Sequence, residues 1–303
     1  MDDELKNGYC KPKISETAQY HITFLILQFQ IFEETINCIE TILGLDKGNN
    51  EVDIVVVDNG STNDALKRIR EYDENNIHIL SSGSNLGFAK GNNVGYDYAK
   101  DTLNTDFIVA INSDTLLEDK NFINGLVEIY HAEKYHLLGP DIITNDGWHQ
   151  NPLGDYEVNS LWIKKARMLA FIGALVRVLG VYALIKLIKQ NKQNIKGKDD
   201  RWNTTQYNIV LQGSAIIFSP LWIKDMPYAF YPETHFYFEE HFLSIICRHK
   251  SYKTVYSPDI KIKHLVARTT SSQNKDFIKK LNFRYKNYIH SLKELRKYND
   301  MNN

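Results

Sequence analysis

Four short apolar runs, the first three each followed by a segment that reads as a helix, constrain this chain more than any other feature. They are residues 22–27 (ITFLIL), 52–57 (VDIVVV), 77–80 (IHIL) and 107–111 (FIVAI). VDIVVV is dominated by β-branched residues, whose stiff rotamers favour strands. Apolar residues recur at helical spacing in 33–45 (Ile36, Ile39, Ile42, Leu43), and 64–72 and 91–100 read as further helices. Strands that lack polar alternation are covered on both faces, so strand–helix alternation of this kind predicts an α/β fold with a mostly parallel sheet. Later in the chain, strands are predicted at 209–211, 215–218, 252–256 and 260–262. A helix is predicted from Glu239 to Arg248, and a long Lys-rich helix over 276–298.

Composition removes several classes. With 43% hydrophobic and 24% charged residues in 303, the chain is neither disordered nor fibrous. A formal net charge of -1 gives no global basic field for nucleic acid. Cys10, Cys38 and Cys247 are far apart and odd in number, which suits a reducing compartment and supplies neither a disulfide framework nor metal-ligand spacing. The polar stretch 1–20 lacks the apolar core of a signal peptide. The expected location is cytoplasmic.

One segment breaks the pattern. Between Val158 and Lys198 there are nine basic residues and no acidic one, around the apolar stretch Met168 to Ile185. That stretch is short for a spanning helix and carries Arg177 at its centre. The reading is a basic apolar helical insert with peripheral contact, through 160–198, to the inner face of the cell membrane. The competing reading is an insert packed on the body of the protein.

In open parallel sheets, ligands sit beyond the carboxyl ends of the strands. After VDIVVV comes Asp58-Asn59-Gly60-Ser61, a carboxylate placed to meet a base or ribose. After 77–80 comes Asn85 to Gly95, dense in Gly and Asn, where backbone amides at a helix start can face phosphate. After 107–111 comes Asn112-Ser113-Asp114-Thr115. Asp114 at a strand end suits Mg²⁺ or Mn²⁺, which take oxygen ligands shared with substrate phosphates. Glu239 and Glu240 open the helix after Phe236-Tyr237-Phe238 and could supply a general base, and an unperturbed Glu would be ionised at neutral pH. His264 ends the last predicted strand, as a further candidate ligand of metal or diphosphate.

These motifs, VVVDNGSTND (55–64), NLGFAKGNNVG (85–95) and INSDT (111–115), resemble in order and spacing the family-two inverting glycosyltransferases with the GT-A fold. The rhamnosyltransferase-like branch is the one most similar, through GFAKGNNVG. The stretch 236–264 resembles that family's acidic helix motif and terminal histidine. The resemblance covers about residues 21–270. It implies a GT-A type Rossmann-like sheet, and Asp58 as reader of the nucleotide base. Asn59, Asn85, Gly87, Phe88, Gly91 and Asn92 would border nucleotide and donor sugar, with Gln28, Asn112 and Ser113 beside them. Asp114 would be the metal ligand with His264 associated, and Glu240, preceded by Glu239, would stand where the family has its catalytic Asp. The sequence departs from the family at Phe242, where a second acid is usual. The implied reaction is transfer of a sugar from a nucleoside-diphosphate sugar to a hydroxyl of a glycan or lipid-linked acceptor, with Mg²⁺ or Mn²⁺, in cell-surface polysaccharide synthesis.

On this reading 1–20 is a polar tail and 21–155 binds the nucleotide sugar. The insert is 156–205, the acceptor and catalytic part is 206–270, and 271–303 is a helical tail. A nucleotidyltransferase would want a glycine-rich basic loop after the first strand, where Gln28-Phe29-Gln30 stands, and a nicotinamide dehydrogenase would want G-x-G-x-x-G there. The altered acidic motif leaves one alternative, a catalytically degenerate sugar-nucleotide-binding subunit.

Overall fold

The computed structural model describes residues 19–72, 75–154, 158–178, 200–265 and 274–302. Most of the polar tail, and residues 179–199 of the insert, lie outside the described residues. The chain runs through β1 (His21–Gln28), α1 (Phe32–Leu43), β2 (Glu51–Asp58), α2 (Ala65–Ile69), β3 (Ile77–Ser81), α3 (Phe88–Asp97) and β4 (Phe107–Asn112). It continues through β5 (Thr115–Leu116), α4 (Phe122–Glu133), β6 (Leu137–Thr144), α5 (Ser160–Val178), β7 (Gln206–Tyr207) and β8 (Ala215–Phe218). The last elements are α6 (Pro220–Asp225), α7 (Glu239–Lys250), β9 (Thr254–His264) and α8 (Asn274–Met301).

These strands form one sheet in the order β3-β2-β1-β4-β8-β6-β9-β5, with β7 paired to β9. The four strands from β3 to β4 are mutually parallel, as are β6 and β9, while β8 runs antiparallel to both β4 and β6. The segments assigned from sequence to nucleotide and acceptor therefore share one sheet, joined through β4 and β8. Burial on both faces explains the unbroken apolar runs. Phe24, Ile26, Ile54 and Val56 pack into the core under α1 and α4, while Leu25, Val55 and Val57 pack into the core on the opposite face.

The approach of α3 to the sheet depends on its glycines. A Cβ on Gly95 would lie 2.1 Å from Leu25 Cδ1, and one on Gly91 would lie 2.7 Å from Leu27 Cδ1. Those two positions, one helical turn apart, let backbone rest directly on the strands carrying Leu25, Leu27 and Val57.

Several elements differ from the sequence expectation. α3 starts at Phe88 rather than 91, because Gly87 turns the chain at φ +84 and the Phe88 amide donates to His235 O at 2.7 Å. Residues 209–211 form no strand; Val210 makes a single bridge to Gly154. The two strands predicted within 252–262 are one, β9, whose pairing with β6 shifts register between Pro140 and Asp141. β5, α4 and β6 were not anticipated. Cys38 and Cys247 are buried and unpaired.

Candidate functional site

The carboxyl ends of β2, β1 and β4 lie side by side, with Gln28 opposite Asp58 and Leu27 opposite Asn112 in register. Asp58 and Asn112 therefore sit two strand spacings apart, about 10 Å, on the same edge of the sheet. Asp58 and Asp114 emerge from that edge together.

Asp58 is buried and accepts the Ser61 amide on Oδ2 at 3.2 Å, while its Oδ1 has no partner among the described residues. Gln28, beside it, accepts from Thr35 Oγ1 at 2.6 Å, and its Nε2 is likewise unpartnered. Buried polar atoms of this kind are normally satisfied. One acceptor and one donor thus stand together at the strand ends, a pairing suited to a ligand that carries both functions.

The Gly/Asn loop is built largely by its own side chains. Asn59 accepts from the Leu86 amide at 2.9 Å and donates to Gly87 O at 3.1 Å, tying the turn after β2 to the loop before α3. Asn85 accepts the Gly87 amide at 2.9 Å. Asn92 is buried and donates to Phe88 O within its own helix. Phe88 rests edge-on against Phe230 with ring centroids 5.1 Å apart. The side chains of Asn59 and Asn92 are thus engaged in holding the loop. Gly87 and Gly91 keep space for neighbouring atoms, since a Cβ on Gly87 would meet His235 Nδ1 at 2.3 Å.

After β4 the chain makes a turn through Ser113 and Asp114 before β5, which pairs antiparallel to the end of β9. That pairing brings His264 to Asp114. His264 Nε2 stands 3.1 Å from Asp114 Oδ1, and the Leu265 amide donates to Asp114 O at 2.9 Å. The other ring nitrogen, Nδ1, faces Gln150 Oε1 at 2.7 Å. A histidine whose second nitrogen is held by an oxygen acceptor is oriented as metal-ligating histidines usually are. Among the described residues no group of three or more His, Cys, Asp or Glu gathers as a metal cage. A carboxylate and an imidazole alone could hold a divalent ion with positions left for phosphate oxygens and water. Glu34, in the first turn of α1, lies within electrostatic reach of both, and its burial and the Asp114 charge raise its pKa. Nothing in the sequence singled out Gln150 or Glu34, because neither sits in a motif.

The acidic pair arrives from the other side. Tyr237 and Phe238 both take left-handed backbone, φ 72 and 73, before α7 begins at Glu239. Such strain in bulky residues persists only where surrounding contacts hold it, and it clusters at functional sites. Here it sets the entry angle of Glu239 and Glu240. Glu240 lies over Gly213, where an added Cβ would be 3.7 Å from its Oε2. Gly213 precedes Ser214, whose carbonyl accepts the Asn112 amide at 2.9 Å. Glu240 therefore lies near the segment that meets the end of β4, and its side chain is 24% exposed. Burial raises its pKa. Glu239 is more deeply buried, and burial followed by the Glu240 charge pushes its pKa up to about 8. The expectation of a carboxylate ionised without tuning is corrected: desolvation disfavours the charged form of both groups. His241 lies 3.6 Å from Glu240, stacks on Trp162 at 4.8 Å, and is pushed by burial down to about 4. Trp162 thus brings the insert helix α5 against the acidic pair.

The comparisons with known proteins fit this arrangement. The model of the family "Glycosyl transferase family 2" matches residues 32–187, just over half of the chain. The low-salt glycan biosynthesis hexosyltransferase Agl10 of Haloferax volcanii is 29% identical over 135 residues, which are 45% of this chain and 41% of that protein. The matched region is thus less than half of that relative. Crystal structures of S. aureus TarS 1–349, alone and in complex with UDP, each superpose at a TM-score of 0.51 with 14% identity. They cover 81% and 82% of this chain and 60% and 61% of theirs, a likeness of fold, the GT-A type. The family model spans the segment that carries Asp58 and Asp114 and covers more than half of the residues, and the chain belongs to glycosyl transferase family 2.

Proposed function

We propose that this chain is an inverting, divalent-metal-dependent transferase that moves a hexosyl or rhamnosyl unit from a nucleoside-diphosphate sugar to a hydroxyl of a glycan or lipid-linked acceptor. The observation that carries the reading is the pairing of Asp114 with His264 on the strand edge that also presents Asp58. The UDP held by the S. aureus TarS structure and the glycan-building role in the name of the Haloferax relative support a nucleotide donor and a glycan product.

In this mechanism the free Oδ1 of Asp58 accepts a hydrogen bond from the base or ribose, and Gln28 Nε2 donates one. Asp114 and His264 would hold Mg²⁺ or Mn²⁺, which when bound offsets the charge of the diphosphate leaving group. Gln150 keeps the His264 ring turned toward Asp114. Glu240 takes the proton from the acceptor hydroxyl, and the oxygen attacks the anomeric carbon on the face opposite the diphosphate, inverting its configuration. The raised Glu240 pKa makes it a stronger base than a solvated carboxylate, the usual tuning for proton abstraction near neutral pH. Glu239, neutral up to about pH 8, adds no second charge to repel the ionised form of its neighbour.

The test is release of nucleoside diphosphate from a panel of sugar nucleotides, with Mn²⁺ or chelator and with or without glycan acceptor. Metal-dependent release that acceptor stimulates supports the reading. Tight nucleotide binding without turnover on any donor overturns it in favour of a binding subunit.

A further inference from the structure

The outward face of α5 over residues 161–169 is unlike a solvated helix surface. Its inward residues, Trp162, Ile163, Ala166 and Ala170, pack into a core shared with Leu292 and Leu295 of α8. The outward positions are Leu161, Lys164, Lys165, Arg167, Met168 and Leu169. Three of these are large apolar side chains exposed by 61% (Leu161), 57% (Met168) and 65% (Leu169). The other three are cations that make no ion pair with any described residue. α8 extends the surface with exposed Phe283 and Ile289, and no acidic residue lies between Asn282 and His290. Between the helices runs a groove of about 390 Å³, lined by Lys164, Arg167, Met168 and Ala170 on one side and Ile289 and Leu292 on the other.

Water-facing helix surfaces ordinarily mix charges of both signs and keep large apolar groups apart. Large apolar groups framed by one sign of charge match instead the boundary of an anionic bilayer, where apolar side chains enter the acyl region and cations meet phosphate. Among the described residues no helix is long and apolar enough to cross a membrane, so the contact is one that lies on the surface. The position also fits. Five residues before Arg167, Trp162 stacks on His241 beside Glu240, and one residue before Ile289, the Tyr288 ring lies 5.1 Å from that of Phe238 in the strained entry to α7.

We infer that the outward faces of α5 and of α8 around Phe283 and Ile289 form a docking surface for an anionic lipid bilayer, which sets the Glu240 side of the cleft toward the membrane plane. The inference deepens the proposed function and rests on it for its meaning, since it makes the acceptor one presented at a lipid surface. Any single-helix amphipathic anchor would also show a basic apolar face. The particular claim here is that α8, called a tail from sequence, supplies part of the surface.

The experiment is co-sedimentation of the full chain with vesicles of phosphatidylcholine, and of phosphatidylcholine carrying about one-third phosphatidylglycerol. Binding is expected to the anionic vesicles alone and to weaken with added salt. Lys164→Glu and Arg167→Glu should each weaken it by at least about fivefold, the value of one basic residue near an anionic surface. Leu161→Asp, Leu169→Asp and Ile289→Asp should do the same. Each is an exposed residue, so thermal unfolding should be unchanged. Inorganic phosphate at the concentration of lipid phosphate should not compete.

Failure of the wild-type chain to bind anionic vesicles, or equal binding to neutral ones, overturns the inference. So does an unchanged Ile289→Asp variant, which would leave α8 out. A concentration-dependent dimer in sedimentation velocity that these substitutions abolish, without vesicle binding, would assign the surface to a second copy of the chain. Nucleoside-diphosphate binding with Mn²⁺, measured on the same preparations, reports on the proposed function separately. It should be equal in all variants, and its loss in wild type would overturn the transferase reading while leaving the lipid result standing.

Discussion

His264 Nε2 rests 3.1 Å from Asp114 Oδ1 across a separation of 150 residues. The contact exists because β5, only two residues long, pairs Thr115 with His264 and so ends β9 against the turn after β4. The two potential ligands thus come from opposite ends of the domain, and the short strand holds them in register.

Asp114→Asn and His264→Ala should each reduce Mn²⁺-dependent binding of a nucleoside diphosphate by more than tenfold, with metal-free binding little changed. Gln150→Ala should give a smaller loss, about tenfold, because it releases the ring rather than removing a ligand. Isothermal titration with and without Mn²⁺ checks all three. Equal affinity in wild type and Asp114→Asn would move the cation elsewhere.

Glu240→Gln should lower kcat by about 10²–10⁴ while leaving donor affinity intact, the range for loss of a general base. The acidic limb of the wild-type kcat/KM profile should lie above the ordinary carboxylate range, because burial raises the Glu240 pKa. Glu239→Gln should retain most activity. Reversal of the two variants would exchange their roles.

Glu239 makes a separate contribution to stability against pH. Its pKa in the folded chain is about 8 against an ordinary value of 4.5. Between those values the folded protein keeps a proton that the unfolded chain has lost, so stability from this group declines as pH rises through the window. Glu239→Gln removes that decline. Urea unfolding should show the variant gaining on wild type by roughly 3–4 kcal/mol from about pH 5 to about pH 8. Parallel curves would show that Glu239 ionises freely in the folded state.

Asp58→Asn should weaken nucleoside-diphosphate binding by about tenfold, since it exchanges a charged acceptor for a neutral amide at the unpartnered Oδ1. The chain should remain folded, because the Ser61 amide contact survives on the retained oxygen. A thermal-shift titration with UDP, chosen because the S. aureus TarS structure contains it, gives the measurement.

Gly95→Ala should destabilise the domain by about 1–3 kcal/mol, since the new methyl lies 2.1 Å from Leu25 Cδ1 and α3 must lift from the sheet. Gly83→Ala is the control. Its φ is +72 but no atom lies within 4 Å, so only the backbone penalty of about 1 kcal/mol remains. Calorimetric unfolding separates the two. Similar effects would mean that α3 is free to move.

The strands β1 to β4 and their terminal loops were legible because each is a local apolar run, buried on both faces in β1, β2 and β4, and the first three are each followed by their own helix. Burial of that kind leaves a contiguous apolar signature in the chain, as in VDIVVV, and the loop chemistry at Asp58 and Asp114 follows directly from the strand ends. α4 and β6 were overlooked although Phe122, Leu126 and Leu138 lie in the core, because no chemistry marked that stretch. The false strand at 209–211 shows the converse. Ile209, Val210 and Leu211 are buried, but by α7 and α5 rather than by continuous pairing, and apolarity alone does not separate those cases.

Local order along the chain therefore decided the parallel half of the sheet and the two acids at its edge. Short-range periodicity and strand-end position are properties of neighbouring residues, and they need no partner elsewhere. Tertiary contact decided the rest. It brought His264 and Gln150 to Asp114, laid Trp162 against His241, and exposed one cationic apolar surface on α5 and α8. It also set the acidic pair apart, Glu239 buried toward pKa 8 and Glu240 open toward Gly213, because desolvation depends on what the fold places around a carboxylate and not on which residue precedes it.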